Sequence, residues 1–509
     1  MNKVPFSGRI LILGYGSVAQ CTLPLLLRHL DVAPERITVC DFVDCRKRIE
    51  PYLAQGVRFL QERITPERYR EQLAAHVGPG DLIVDLAWNI ETIALLDWCH
   101  AHDVRYVNTS VEVWDPYEGQ EQKTPPERTL YARQMELRKL MASWGDRPGP
   151  TAILDHGANP GLVSHFTKQA LLDIGAKLVT EKPEDPRREN LERALAEARY
   201  NHLAQLAGVR VIHISERDTQ ISNRRRRGTE FVNTWSVEGF YEEGIAPAEM
   251  GWGTHERTLP HDAWEHESGP RNQICLERFG MNAFVRSRVP SSEIVGMIIR
   301  HGEAFSISEF LTVSGDDGTA AYRPTVHYAY LPCDYAVASL DEVREQDYKM
   351  HPSWRIMGND IVHGYDELGV LLMGHDYRSW WTGTILDIEE ARRLVPGQNA
   401  TTLQVGSSVL AAVVWMLRNP HRGVLLPDSL PHDEILAVAR PYLGKVVSIP
   451  IDWTPCGSAE VDFEADPSGD DLWQFSNFLL EPMSSHIAEE SIRGPQLLRE
   501  FCDPRRLRV

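Results

Sequence analysis

The stretch Arg9-Ile-Leu-Ile-Leu-Gly14-Tyr-Gly16-Ser17-Val18-Ala19-Gln20 carries the residue types of a dinucleotide pyrophosphate site. Gly14 permits a tight turn, Gly16 lets a phosphate approach the backbone, and Ala19 is small enough for close helix–strand packing. The helix that follows offers free N–H groups and a partial positive charge. Asp41 ends a second apolar run, Ile37-Thr-Val-Cys40. A carboxylate there suits the adenosine ribose diol and repels a 2′-phosphate, which favours NAD over NADP. Arg46, Lys47 and Arg48 follow closely and weaken that preference. A third group lies far downstream. Phe231-Val-Asn233-Thr-Trp235-Ser-Val-Glu238-Gly-Phe240-Tyr241-Glu242-Glu243 is dense in acids and aromatic rings, with His213 and Glu216 before it and His301-Gly302-Glu303 after it. A tryptophan face with carboxylates can cage an ammonium group. On residue types alone, a tryptophan in a strand is more often core, and loop acids are more often solvated.

These groups need elements to position them. Apolar runs at 9–13, 36–40, 57–60, 81–86, 105–108 and 151–155 read as strands, with periodic helical segments such as 66–77, 92–102 and 126–144 between them. The alternation predicts an α/β fold: a doubly wound Rossmann domain over 1–160, with its ligand at the switch point beside strands one and four. The loops expected at the cofactor are Gly14 to Gln20, Asp85-Leu-Ala-Trp88-Asn89, Asn108-Thr109-Ser110 and Asp155-His156-Gly157-Ala158-Asn159-Pro160-Gly161. Pro24 should kink the first helix. Residues 161–396 read as an α+β domain with a mostly antiparallel sheet. Its expected helices are 162–173 and 190–206, and its expected strands 209–215, 230–237, 297–300, 304–312, 325–330 and 370–373. The basic run Asn223-Arg-Arg-Arg-Arg227 reads as a solvated turn. The last section, 397–509, contains a helix over 401–417 ended by Asn419-Pro420.

With 509 residues, 42% hydrophobic and 25% charged, the chain has the composition of a globular protein of two or three domains. A net charge of −19 disfavours nucleic acid as a partner; such a surplus of acid is commonly a solubility feature, and it also suits a cationic substrate. The start of the chain has no secretory pattern, and the apolar run 409–417 is too short for a bilayer, so a cytoplasmic protein without membrane partners is expected. The eight cysteines form neither a CxxC pair nor a zinc spacing; reduced structural thiols and no metal site are expected.

Taken together, the glycine turn ending in Gln20, the loop Asp85 to Asn89, Asn108-Thr-Ser-Val-Glu112, Asp155 to Gly161 and Asn233-Thr-Trp235-Ser-Val-Glu-Gly-Phe240 resemble the bacterial homospermidine synthases. These are a branch of the saccharopine dehydrogenase-like enzymes, and the resemblance covers nearly the whole chain. It implies a cytoplasmic homodimer that holds NAD as a recycled prosthetic group. Such an enzyme joins two putrescines, or spermidine and putrescine, into homospermidine with release of ammonia or diaminopropane. It implies that Trp235, Glu216, Glu243 and His301 line the substrate channel, with Asn159 of the fourth loop beside them as a catalytic candidate. His301 or Glu216 is the expected base and Glu243 the expected grip on the distal ammonium. The implied NAD contacts are Gly14, Gly16, Ser17, Val18, Ala19, Gln20, Asp41, Trp88, Asn89, Asn108, Thr109, Ser110, Asp155, Gly157, Ala158 and Pro160. Part of the C-terminal section is expected to pack back on the Rossmann domain. Two alternatives stand beside this reading: an NADPH-dependent carboxy-polyamine or saccharopine-type dehydrogenase, and a non-catalytic NAD-binding regulator.

Overall fold

A computed structural model describes residues 3–456 and 469–480. Strand β1 (Ile10–Leu13) is buried at every position, as a central strand covered on both faces must be. It is flanked by β2 (Ile37–Asp41), β3 (Arg58–Gln61), β4 (Leu82–Asp85), β5 (Arg105–Asn108) and β6 (Ala152–Ile153) in a parallel sheet of order β3-β2-β1-β4-β5-β6. A seventh strand, Val424–Leu425, extends the sheet beside β6. The strand order reverses between β1 and β4, so a crevice opens at their carboxyl ends. Helix α1 (Ser17–His29) continues through Pro24. Its cost is local: the ring supplies no N–H for the carbonyl one turn earlier.

The second sheet has eleven strands. Its middle runs through β7 (Val211–Asp218), β8 (Thr325–Leu331), β9 (Tyr365–His375), β10 (Arg378–Asp387) and β11 (Lys445–Ile451). β7 and β8 pair in parallel; the other pairings are antiparallel. Helix α2 (Leu130–Ser143) stands before this domain in the chain, and α3 (Leu162–Glu181) packs on β9 and β10.

Five local expectations differ from the structure. The helix expected at 190–206 is two helices, Arg188–Ala196 and Tyr200–Ala207, broken where Ala198 takes φ +51°. The strand expected at 230–237 ends at Asn233. Ser236 then accepts from Gly239 N and caps α4 (Val237–Gly244), so Trp235 lies in a turn and not in a strand. Residues expected as a strand at 304–312 form α5 (Glu303–Phe310). Its residues Glu303 to Ser308 are all buried, and burial all round leaves no helical stripe in the sequence. The strand expected at 297–300 ends at Met297. The basic run is largely exposed but not simply solvated: Arg224 pairs with the buried Glu230 at 3.3 Å and Arg226 with Glu342 at 2.5 Å.

Helix α6 (Ala400–Arg418) lies against α1, where a Cβ on Gly406 would stand 3.0 Å from Cys21 Sγ. Among the described residues it is the one helix long and apolar enough to cross a membrane, and 89% of that window is buried inside the protein. Cys21, Cys40, Cys45, Cys99, Cys275 and Cys333 are buried free thiols.

Candidate active site

The glycine turn closes β1. Gly14 has φ +79°, and a Cβ there would come within 2.9 Å of the Ala87 Cα. Its N–H donates to Cys40 O at 2.9 Å. A Cβ on Gly16, by contrast, would meet nothing within 4 Å, so the backbone face that a pyrophosphate would occupy is open. Ser17, Val18 and Ala19 form the first turn of α1, which has no acid to repel a phosphate; Ala19 is buried against the core. Gln20 Nε2 donates to Tyr15 O and Gly16 O, both at 3.2 Å, and stitches the turn. Asp41 accepts from Tyr15 N at 2.7 Å and Val43 N at 2.8 Å, which fixes its carboxylate at the end of β2. Arg46 is engaged by Asp44 and Gln61, and Arg48 by Cys45.

The next loops line the same crevice. Asp85 accepts from Tyr106 Oη at 2.7 Å, and burial pushes its carboxyl up to about 7. Beyond it, the buried atoms Trp88 Nε1 and Asn89 Oδ1 have no hydrogen-bond partner, as groups awaiting a ligand do. Asn108 donates to Thr92 Oγ1 (3.2 Å) and Ser110 O (2.7 Å) and accepts from Asp155 N (2.9 Å). Thr109 touches the position of Gly157, and Ser110 Oγ donates to Glu112 at 2.6 Å. In the fourth loop Gly157 N donates to Pro160 O at 2.6 Å, and Ala158 is buried. Gly161 has φ +133°, and a Cβ would stand 1.9 Å from Gly157 O, so no other residue fits.

This fourth loop reaches into the second domain. Asn159 Nδ2 donates to Glu216 Oε2 at 2.6 Å. Tyr328 Oη donates to the same oxygen. Glu216 is 3% exposed; burial pushes its carboxyl up to about 7, against the pull of Tyr328, Asn159 and the charge of His301. The Tyr328 ring stacks on Tyr330 (5.0 Å between centroids) and tilts against His301 (4.4 Å). Trp235 Nε1 donates to Tyr330 Oη at 3.2 Å, which holds the indole by its edge. His301 Nε2 lies 3.4 Å from Glu243 Oε2. Burial alone would lower the imidazole; Glu243, Glu303 and Glu216 outweigh it and push it up to about 9. Gly302 packs on the Asp155 carboxyl, which burial pushes up to about 7.

The five residues Trp235, Glu216, Glu243, His301 and Asn159 therefore come from five separate segments and form one connected cluster. Glu243 faces His301, and the raised pKa of His301 favours its charged form at neutral pH. His213 lies on the opposite face of β7, against His327 and Ser287, because alternate strand residues point apart. The sequence reading missed Tyr328, Tyr330, Asp218 and Asp366. Their places follow from register: Tyr330 lies across from Glu216, and Asp366 across from Asp218. The pairs Glu216/Asp218 and Tyr328/Tyr330 at strand spacing were the available signal.

A Rossmann crevice beside a buried nest of acids and rings in a second mixed sheet is the architecture of a two-domain dinucleotide enzyme, and the family comparison places the chain in the saccharopine dehydrogenase class. Residues 10–153 match the saccharopine dehydrogenase NADP binding domain, and residues 157–451 its C-terminal domain. The chain is 42% identical to homospermidine synthase of Blastochloris viridis, over 93% of this chain and 97% of that one. It is 39% identical to homospermidine synthase of Mesorhizobium japonicum, over 93% and 96%. The crystal structure of homospermidine synthase from Legionella pneumophila in complex with NAD superposes with a TM-score of 0.82, at 36% identity over 94% of this chain and 99% of that one. The chain belongs to the homospermidine synthase family.

Proposed function

We propose that the protein joins two putrescines into homospermidine and ammonia, using bound NAD with no net oxidation. Spermidine serves as an alternative aminobutyl donor. The open backbone at Gly16, the fixed Asp41 carboxylate and the unpartnered Trp88 and Asn89 atoms fit a dinucleotide. The fixed Asp41 carboxylate at the end of β2 favours NAD over NADP and weighs against the NADPH-dependent alternative. When bound, NAD supplies the acceptor for two electrons from the first amine and returns them to the final imine.

The chain's own residues manage protons and charge. Putrescine arrives doubly charged, since its amines resemble lysine, with pKa about 10. The reacting amine must lose a proton before its carbon can be oxidised. Glu216 is the base: its carboxyl, held at about 7, divides between acid and base forms at neutral pH. His301 stays protonated beside it and keeps that carboxylate placed, so it is not the base. Asn159 and Tyr328 orient Glu216 through its Oε2. The Trp235 ring stabilises the cationic substrate imine while the second putrescine adds and ammonia leaves. Glu243 holds His301 in its charged form. On this reading residues 1–160 bind NAD, 161–396 bind substrate and form a homodimer, and part of the section 397–509 packs back on the nucleotide-binding half; the protein works in the cytoplasm.

The observation that carries the reading is the continuous contact Asn159–Glu216–Tyr328–His301–Glu243, which joins the nucleotide crevice to the acid–aromatic nest. The test is incubation with putrescine and NAD far below the putrescine consumed. Homospermidine and ammonium in equal amounts are expected, identified by mass and by ammonium assay. NADH accumulating in step with putrescine loss would overturn the proposal.

A further inference from the structure

Three segments that carry site residues converge on one buried ion cluster behind the site. Arg133, on α2, donates through Nη2 to Glu242 Oε1 at 2.8 Å and through Nη1 to Val111 O at 2.8 Å. Arg300 donates through Nη2 to the same Glu242 oxygen and through Nη1 to Arg128 O at 2.6 Å. The side chains are at most 13% exposed. Each partner adjoins a residue of the site in the chain. Glu242 precedes Glu243, Arg300 precedes His301, and Val111 lies between Ser110 and Glu112. The cluster also crosses between the two sheets' domains: Arg133 stands on a helix of the nucleotide-binding half, whereas Glu242 and Arg300 belong to the substrate half. Other contacts of the same helix run in parallel, with Gln134 on Asp155 at 3.0 Å and Tyr131 Oη on Ser268 O at 2.5 Å.

We infer that the Arg133–Glu242–Arg300 cluster is a positioning clamp that sets the 108–112 loop, α4 and the His301 segment in mutual register across the two domains. On this inference the clamp acts through the segments it holds. Its physical basis is that a buried carboxylate shared by two guanidiniums has one low-energy arrangement. Removing a partner strands a charge, and the segments relax. Arginine is the residue the geometry requires at 133, because a planar fork reaches two acceptors at once and a lysine ammonium does not reproduce that. The consequence for catalysis rests on the polyamine reading above; the mechanical consequence does not.

The test compares Glu242→Gln, Arg133→Lys, Arg133→Met and the double variant Arg133→Met/Glu242→Gln with the unaltered full-length protein. Turnover is followed as kcat and putrescine KM separately, and backbone hydrogen exchange is followed at 108–112, 237–244 and 298–303. For Glu242→Gln, kcat is expected to fall about 100-fold, the loss that a displacement of about 1 Å costs at an active site. Putrescine KM should change much less. Exchange should rise in all three segments together and stay unchanged at β1 and β2. Arg133→Lys should fall between the unaltered protein and Arg133→Met, and the double variant should be no worse than the poorer single. If exchange rises in one segment only, or if the two single losses multiply in the double variant, the clamp is overturned. If Glu242→Gln does not fold, the Arg133 variants decide by the same exchange pattern. Exchange does not depend on turnover, so failure of the clamp is distinguishable from failure of the polyamine reading.

Discussion

Glu216 and His301 share Tyr328 as a neighbour, and both are pushed toward their protonated forms, which favours a neutral carboxyl and a charged imidazole. Burial raises the carboxyl to about 7, while three carboxylates raise the imidazole to about 9. The base must be ionised, so kcat is expected to rise with pH through about 7. The imidazole must be charged, so kcat is expected to fall as pH passes about 9. Glu216→Gln should remove the lower limb and reduce kcat by about 10²–10⁴-fold, as read from a pH–rate profile. A lower limb that persists in Glu216→Gln would assign the base elsewhere. For Trp235, loss of a desolvated cation–π contact worth about 2 kcal/mol predicts a drop in kcat of about 30-fold in Trp235→Ala. Trp235→Phe should retain most of the rate, since a phenyl face still attracts a cation; equal losses in steady-state kcat would make Trp235 a packing residue. The sequence showed that acids and a tryptophan were present. It could not show that Glu243 would be spent on His301, because their pairing joins residues 58 positions apart through a loop and a helix end.

The first strand, glycine turn and helix are the elements most legible in the sequence, since each is coded locally by apolar run, turn residue and helix start. Here the structure adds a sharp expectation. A Cβ at Gly16 meets only open space, so Gly16→Val should leave thermal stability within about 0.5 kcal/mol of the unaltered protein. The same change should weaken NAD binding strongly, as measured by titration calorimetry, because the added methyls fill the phosphate's approach. A stable variant with unchanged NAD affinity would remove the pyrophosphate from this turn. Helix α5 shows the opposite case. Every residue from Glu303 to Ser308 is buried, so the polar stripe that marks a helix is missing and the pattern reads as a strand. The 230–237 segment misleads for a related reason. Its β-branched and aromatic residues favour a strand, but Ser236 caps a helix at once, and that cap places Trp235 in the turn facing Tyr330.

Across the whole molecule, a net charge of −19 and a cationic substrate predict electrostatic capture. Raising ionic strength from about 0.01 to about 0.3 M should lower kcat/KM for putrescine by up to about tenfold, because the Debye length shrinks to a few ångströms. A flat salt dependence would show that the charge serves solubility alone. The C-terminal part is also a property of the whole. Helix α6 packs on α1, and Val424–Leu425 pairs with β6, so residues after 400 help build the nucleotide half that the first residues begin. The sequence by itself determined the Rossmann half, its glycine turn and the acid that ends its second strand, the chain's acidity and the identity of the acid–aromatic residues, because these depend on local pattern and composition. Only the tertiary structure decided which acids meet, which of them face His301, and that Arg133, Glu242 and Arg300 join the domains. Those contacts are set by strand register and domain packing, which bring distant residues within hydrogen-bond reach through the summed burial of both cores and leave no local trace in the chain.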